Sequence, residues 1–380
     1  MPNATTAAAT AAPATTKIRI PQFAPLLGDQ ELAQLRECIE TAWLTEGPKT
    51  AEFIARLAAL TGAKHVILAP NGTLALYMAL AVCGIGPGDE VIVPDFTFLG
   101  SASSIALTGA RPVFADVSPE TFNFEVDAVR RALSPRTRAI MPVHIYGQAA
   151  EMTPLLELAE QEDLFVIEDA AQGIGVLYQN RHAGTLGDLG CLSFFADKTI
   201  TTGEGGAILT SNDEFAGRLQ YFRNQGRLSR GSFIHPQMGW NFRLTDLQSG
   251  IGIAQLDRLK TIIERKRQIE DLYKSRLAGL ENVKFPVAKE PQSRVPFRMN
   301  ILVPDPEKLS EHLTREGIGV RRFFYPLHRQ PCFNEQNSRI GGEMVNSIAA
   351  FDRGLSLPSS VKLTEHEIDT VCEAISAFFQ

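Results

Sequence analysis

No stretch of this 380-residue chain approaches the run of about 20 apolar residues that a membrane span needs. An excess of one charge is missing too. Lysine and arginine number 37 against 43 aspartates and glutamates, a net charge of -6 with both signs interspersed. That excludes the electrostatic footprint of a nucleic-acid or acidic-membrane binder and leaves a small molecule as the expected partner. Cysteine is scarce: Cys38, Cys83, Cys191, Cys332 and Cys372 are odd in number, widely spaced and without a CxxC pair. A disulfide framework and a zinc knuckle are thereby excluded, no metal site is expected, and a reducing, cytoplasmic compartment is. Each cysteine is expected to be a small buried apolar residue. The first sixteen residues, MPNATTAAATAAPATT, lack both an apolar signal core and the arginines of a transit peptide, so they read as a disordered tail.

What is present is the patterning of a large α/β protein. Apolar positions recur at helical spacing over residues 30–43 and 50–61, and the segment His65-Val66-Ile67-Leu68-Ala69 reads as a short buried strand. Asn71-Gly72-Thr73 then opens an apolar helix running to about Val82. Further strands are expected at residues 90–93, 112–115, 139–143 and 164–167, alternating with helices near 101–108 and 153–162. Short hydrophobic strands alternating with helices predict a largely parallel sheet covered on both faces. Ligands of such sheets sit at the carboxyl ends of the strands, so the loops after Ala69, Val93, Val143 and Ile167 should share one rim. A long helical stretch, residues 245–277, should lead to a smaller α+β region with strands near 298–302 and 319–323. The expected division is a tail at 1–16, a large domain at 17–250, and a helical link with a small domain at 251–380.

Four short segments make sense together if a phosphorylated pyridine ring is to be held. Asn71-Gly72-Thr73 offers the unpaired N–H groups of a helix N-terminus, which bind phosphate, although alone such a start is more often an ordinary cap. Glu168-Asp169-Ala170-Ala171-Gln172 follows a buried strand at the rim. A carboxylate there can keep a pyridine nitrogen protonated, and Asp169 suits that role with Gln172 as a polar neighbour; helix capping is the plainer use of both. In the third segment Lys198 stands between an apolar strand and the Gly-rich turn Gly203-Glu204-Gly205-Gly206, with Ser193 upstream. A desolvated lysine has a lowered pKa and attacks aldehydes, and a serine hydroxyl can meet phosphate. The fourth, Gly239-Trp240-Asn241-Phe242-Arg243, precedes the long helix and means little alone.

Taken together, these segments resemble the DegT/DnrJ/EryC1/StrS family of pyridoxal-phosphate (PLP) sugar aminotransferases, over residues 20–379. Trp43-Leu44-Thr45-Glu46-Gly47-Pro48, Pro326-Leu327-His328 and Gly354-Leu355-Ser356-Leu357-Pro358 add to the match in the right order. The resemblance implies the aspartate-aminotransferase type fold (fold type I). It implies Lys198 as the Schiff-base lysine and proton shuttle, and Asp169 paired with the pyridine nitrogen. Gln172 would lie near the ring hydroxyl, Phe98 would stack on the ring, and Gly72, Thr73 and Ser193 would bind phosphate. Asn241 would reach the phosphate across an interface, which implies a homodimer with shared sites. Many members carry serine where this chain has Asn71; perosamine synthases, which the sequence is also similar to, carry asparagine.

The implied reaction moves an amino group from an amino acid, with glutamate expected, to a ketosugar. A nucleotide-linked 4-keto-6-deoxyhexose for cell-surface polysaccharide is the leading acceptor, and the keto form of an eight-carbon acid sugar the runner-up. Relatives with histidine in place of the lysine are sugar dehydratases. That chemistry and a non-catalytic regulatory role are both disfavoured by Lys198. For the acceptor's anionic groups the candidates are Arg227, Arg230, Arg243, Arg321, Arg322 and His328, with His328 and Arg243 put forward as substrate contacts. His65, His144 and His182 are expected to be structural or solvated.

Overall fold

Strands form where the apolar runs fall, and their ends converge on one rim. The computed structural model describes residues 17–227, 233–287, 290 and 293–380; the expected disordered tail and Arg230 lie outside the described residues. The strands are β1 His65–Ala69, β2 Glu90–Pro94, β3 Arg111–Ala115, β4 Thr137–Ile140, β5 Phe165–Asp169, β6 Leu177–Tyr178, β7 Arg181–His182, β8 Leu189–Ser193 and β9 Gly206–Thr210. From the C-terminal third come β10 Met299–Leu302, β11 Arg321–Arg322, β12 Arg339–Ile340 and β13 Gly354–Leu357.

Eight of them make one sheet in the order β1-β9-β8-β5-β4-β2-β3-β12. From β8 to β12 every pair is parallel, while β9 runs antiparallel to both its neighbours. The sheet is therefore largely parallel, as its buried Val- and Ile-rich strands require. Because β9 reverses twice, β1 points the same way as β5 and β8. The register aligns Ala69 with Gly206 and Gly206 with Ser193, and sets Asp169 beside Cys191. Strand neighbours are about 5 Å apart, so the end of β1, the start of β9 and the ends of β8 and β5 form one continuous floor.

The helix Gly72–Val82 is apolar on all sides because it is buried under this floor's strands, with Ala75, Met78 and Ala79 fully enclosed. A second sheet, β10-β13-β11, is antiparallel and packs with the helices Leu259–Leu277 and Glu365–Phe379 around Ile269, Tyr273, Ile301, Leu355 and Val371. Two expectations shift. The strand over 139–143 starts and ends earlier, since Pro142 has no N–H for a ladder; beyond it only Val143 bridges Asp169. The long helix of residues 245–277 is two, Asp246–Asp257 and Leu259–Leu277, parted at Arg258 (φ -101°, ψ -1°), whose guanidinium pairs with the buried Glu31.

Candidate active site

Lys198 sits in the turn between β8 and β9. Its own N–H donates to the Phe195 carbonyl (3.0 Å), and Gly203, at φ +83°, closes the turn in the left-handed region that glycine tolerates. The residue is half-buried, and its Nζ lies 4.8 Å from the centroid of Phe297. Loss of water lowers the amine's pKa; Asp197 and Asp169 oppose that shift, and Arg298 adds to it. A lysine so placed spends more time as the neutral nucleophile.

Asp169 ends β5, nearly sealed from solvent. Its Oδ2 accepts from Ser101 Oγ (2.7 Å), which lies 3.0 Å from Thr97 Oγ1, and its Oδ1 accepts from the Ala171 N–H (3.1 Å). Neither Asp169 nor Gln172 caps a helix; Asp169 belongs to the strand and Gln172 follows it in a turn. The fully buried Glu168 accepts from His144 Nε2 (2.9 Å) and from the N–H groups of Gly184, Leu186 and Gly187. Burial works against its charge, but His144 and these amides outweigh burial and hold the carboxyl below its usual range. Because His144 Nδ1 accepts from the Ala150 N–H, its proton sits on Nε2. The Gln172 Oε1 accepts from the Tyr146 N–H (2.6 Å), where Tyr146 adopts φ +53°, so its amide NH2 is left with no partner among the described residues.

At the helix start Asn71 is indeed a cap, its Oδ1 accepting from Leu74 N–H (2.9 Å). That leaves the N–H groups of Gly72 and Thr73 without partners among the described residues, the position where an anion binds. Ser193 is pressed against them: a Cβ on Gly72 would stand 2.8 Å from Ser193 Cβ. Thr73 Oγ1 and the Phe98 ring both crowd the spot where Gly100 lacks a side chain, 2.9 and 3.1 Å from a Cβ built there. Phe98 itself is 58% exposed.

Lys198, Asp169, Gln172, Gly72, Thr73, Ser193 and Phe98 thus gather at one rim. Asn241 and Arg243 do not join them within one chain. Both are exposed, Arg243 Nε donating to Asn241 Oδ1 (2.7 Å), and Arg243 lines a recess of about 650 Å³ with Trp43, Glu46, Arg223, Asn224 and Arg227. His328 is anchored at the end of β2, its N–H and Nδ1 each 2.7 Å from a different oxygen of the buried Asp95. Arg321 approaches Asp197, whereas Arg322 turns to the Phe351 carbonyl. Cys38, Cys191 and Cys372 are buried and Cys83 half-buried, its thiol pushed up to about 12 by burial; Cys332 departs from the expectation and is exposed, in the loop fastened by Asn334 and Asn337. Ser101, Thr97 and Arg298 went unread in the sequence. The four-residue spacing of Thr97 and Ser101 across a helix start was the signal for the first two.

The vacant hydrogen-bonding capacity at this rim suits a phosphorylated pyridine aldehyde. There is a partly desolvated amine for the aldehyde, a fixed carboxylate for the ring nitrogen, and a free amide NH2 for a ring oxygen. Two helix-start N–H groups beside a serine suit the phosphate, and a bare aromatic face suits the ring.

Comparison with known proteins agrees with this chemistry. Residues 25–376 match the model of the DegT/DnrJ/EryC1/StrS aminotransferase family. The chain is 38% identical to a GDP-perosamine synthase of Caulobacter vibrioides, covering 94% of this chain and 97% of that one. It is 34% identical to a UDP-N-acetyl-3-dehydro-alpha-D-glucosamine 3-aminotransferase of Acidithiobacillus ferrooxidans, covering 93% and 94%. A solved structure of the putative sugar aminotransferase Spr1654 from Streptococcus pneumoniae, in its PLP form, superposes with a TM-score of 0.87 at 25% identity, over 94% and 98% of the two chains.

Proposed function

The chain belongs to the DegT/DnrJ/EryC1/StrS aminotransferase family and is a PLP-dependent sugar transaminase, and from that premise we propose that it aminates a nucleotide-linked 4-keto-6-deoxyhexose in the cytoplasm, with L-glutamate as donor. The observation that carries the acceptor is the 38% identity, over nearly the whole of both chains, to a protein named GDP-perosamine synthase. The product would supply cell-surface polysaccharide.

Bound PLP supplies an aldehyde and an electron-withdrawing ring that together make an amine's Cα–H acidic. The protein's residues do the rest. With the cofactor bound, Lys198 Nζ would be the amine that holds its aldehyde and, when free, the base that moves the Cα proton; the burial that lowers its pKa supports both duties. Asp169 would pair with the ring nitrogen, and Ser101 and the Ala171 N–H hold that carboxylate in one orientation. The N–H groups of Gly72 and Thr73 with the Ser193 hydroxyl would take the phosphate, the Gln172 NH2 would donate to the ring oxygen, and Phe98 would stack on the ring. His328, its Nδ1 committed to Asp95, offers Nε2 to the sugar.

Asn241 completes the phosphate site of a second copy of this chain in a homodimer, with Arg243 beside it as a substrate contact. Supporting that assembly, the surface around them bares Trp240, Trp43, Leu44 and Met238, apolar side chains a lone monomer would leave wet. The large and small units expected at 17–250 and 251–380 remain our division of the chain, with the site at the floor of the first.

The test is a panel of acceptors given to the PLP-loaded protein with L-glutamate, with products weighed by mass spectrometry. A GDP-linked 4-keto-6-deoxyhexose should gain an amine. Preference for a UDP-linked 3-keto sugar or a keto eight-carbon acid would overturn the assignment of acceptor, and ketone release with ammonia would overturn transamination.

A further inference from the structure

Arg298 is an unusual place to keep a charge. The residue stands just before β10, is 6% exposed, and lies with its guanidinium 5.1 Å from the ring centroid of Phe297 and 5.8 Å from that of Phe324. Its Nη2 donates to Asp197 Oδ2 (2.9 Å), and Arg321 Nη1 approaches the same oxygen at 3.4 Å. Among the described residues Asp197 is Arg298's only hydrogen-bond partner, and its Nε and Nη1 are neither bonded nor sealed from solvent.

A purely structural pin between the small sheet and the Lys198 turn would need one guanidinium for one carboxylate. Here the buried Arg298 shares a single carboxylate oxygen with the exposed Arg321, so its counter-charge is divided, and burial of a cation without a full counter-charge is costly. The cost makes sense when a second anion arrives. A guanidinium set against two aromatic rings, with two donors open, matches a carboxylate in geometry as well as charge.

Position supplies the rest. Lys198 Nζ and the Arg298 guanidinium lie against the same Phe297 ring. Arg298 is also near enough to lower the pKa of Lys198, and an amino acid whose nitrogen comes to the position of Lys198 Nζ carries its α-carboxylate only two bonds away. Asp197 is adjacent to Lys198 in the chain and so ties the anion site to the amine site. Resting on the transaminase reading, we propose that Arg298, with Arg321 at its rim and Asp197 orienting it, forms a subsite for a substrate carboxylate, that of the amino donor.

The two half-reactions separate the donor from the acceptor. With the holoenzyme, conversion of bound cofactor by L-glutamate is followed by absorbance, and return by the ketosugar is followed from the aminated form. Binding of glutarate, a dicarboxylate with no amine, is measured in parallel by calorimetry. In Arg298→Gln, glutamate and glutarate should each bind about ten- to a hundredfold more weakly, the loss expected for a charged hydrogen-bonded pair, with the ketosugar half-reaction changed less than threefold. Arg321→Ala, on a residue 54% exposed, tests the subsite should the first variant misfold, and should weaken both ligands about threefold. Unchanged glutamate and glutarate binding in folded variants overturns the proposal. So does a loss confined to the ketosugar step, which would assign the charge to the acceptor. A wild type that binds glutarate through Arg298 yet converts no cofactor with glutamate would keep the subsite and sink the transaminase reading.

Discussion

The floor of the site and the surface around Asn241 are built to opposite rules. At the floor, Asp169 has two protein donors and Glu168 four, and the half-buried Lys198 lies against Phe297. At residues 238–243 Trp240, Asn241 and Arg243 face outward, the Asn241 side chain is engaged only by its neighbour Arg243 among the described residues, and Trp240 and Met238 stand 44% and 80% exposed. A buried, satisfied network can hold a reacting group to one geometry. An exposed polar tip among bare apolar side chains fits the homodimer proposed above.

Substitutions should separate the two regions by what they damage. The largest effect belongs to the floor. Asp169→Asn should leave cofactor bound but slow its conversion by glutamate about 100- to 1,000-fold, the scale of losing one preorganised electrostatic partner, as read by stopped-flow absorbance. A loss of only a few-fold would mean the ring nitrogen is not held by this carboxylate. At the surface, Asn241→Ala should weaken cofactor binding about tenfold, one charged hydrogen bond's worth, without slowing the saturated enzyme comparably. Full cofactor affinity in that variant, or a monomer by sedimentation, would erase the contrast.

The smallest effect is on stability and sharpens the floor's side of it. His182 accepts from the Gly175 N–H through Nε2 and is buried, which takes its pKa down to about 4. A histidine whose folded pKa is depressed binds more protons when unfolded, so stability is full above the unfolded value of about 6.5 and is lost as pH falls towards 4. Thermal unfolding from pH 7 to pH 4.5 should show this slope, and His182→Asn should flatten it. An equal slope in both proteins would place the acid sensitivity elsewhere.

The same division governs what could be read from sequence. Floor residues announce themselves because a lysine between an apolar strand and a Gly-rich turn, or two acids after a buried run, defies the usual habits of charge. Even so, Asp169 and Gln172 also suggested caps. Only the pairing of β5 with β8 shows Asp169 to be strand, and pairing is a long-range fact that no local spacing encodes. The reversal of β9 was hidden for the same reason, since Gly206-Ala207-Ile208-Leu209-Thr210 has the look of any buried parallel strand. The break at Arg258 was also hidden, because good helix formers flank it and its ion-pair partner Glu31 lies more than 200 residues earlier. Arg298 was invisible because a lone arginine in sequence is ordinarily a surface residue. Its meaning lies in Phe297, Phe324 and Asp197, and only the first of these is its neighbour in the chain.

The account turns on Lys198 being the amine that holds the cofactor, and borohydride reduction of the PLP-loaded protein followed by peptide mass mapping tests that directly. The prediction is one added pyridoxyl-phosphate mass, on the peptide containing Lys198, lost from the protein after prior exposure to L-glutamate and absent from Lys198→Ala. A label on another lysine such as Lys266, or no label on a protein that has taken up PLP, would contradict it.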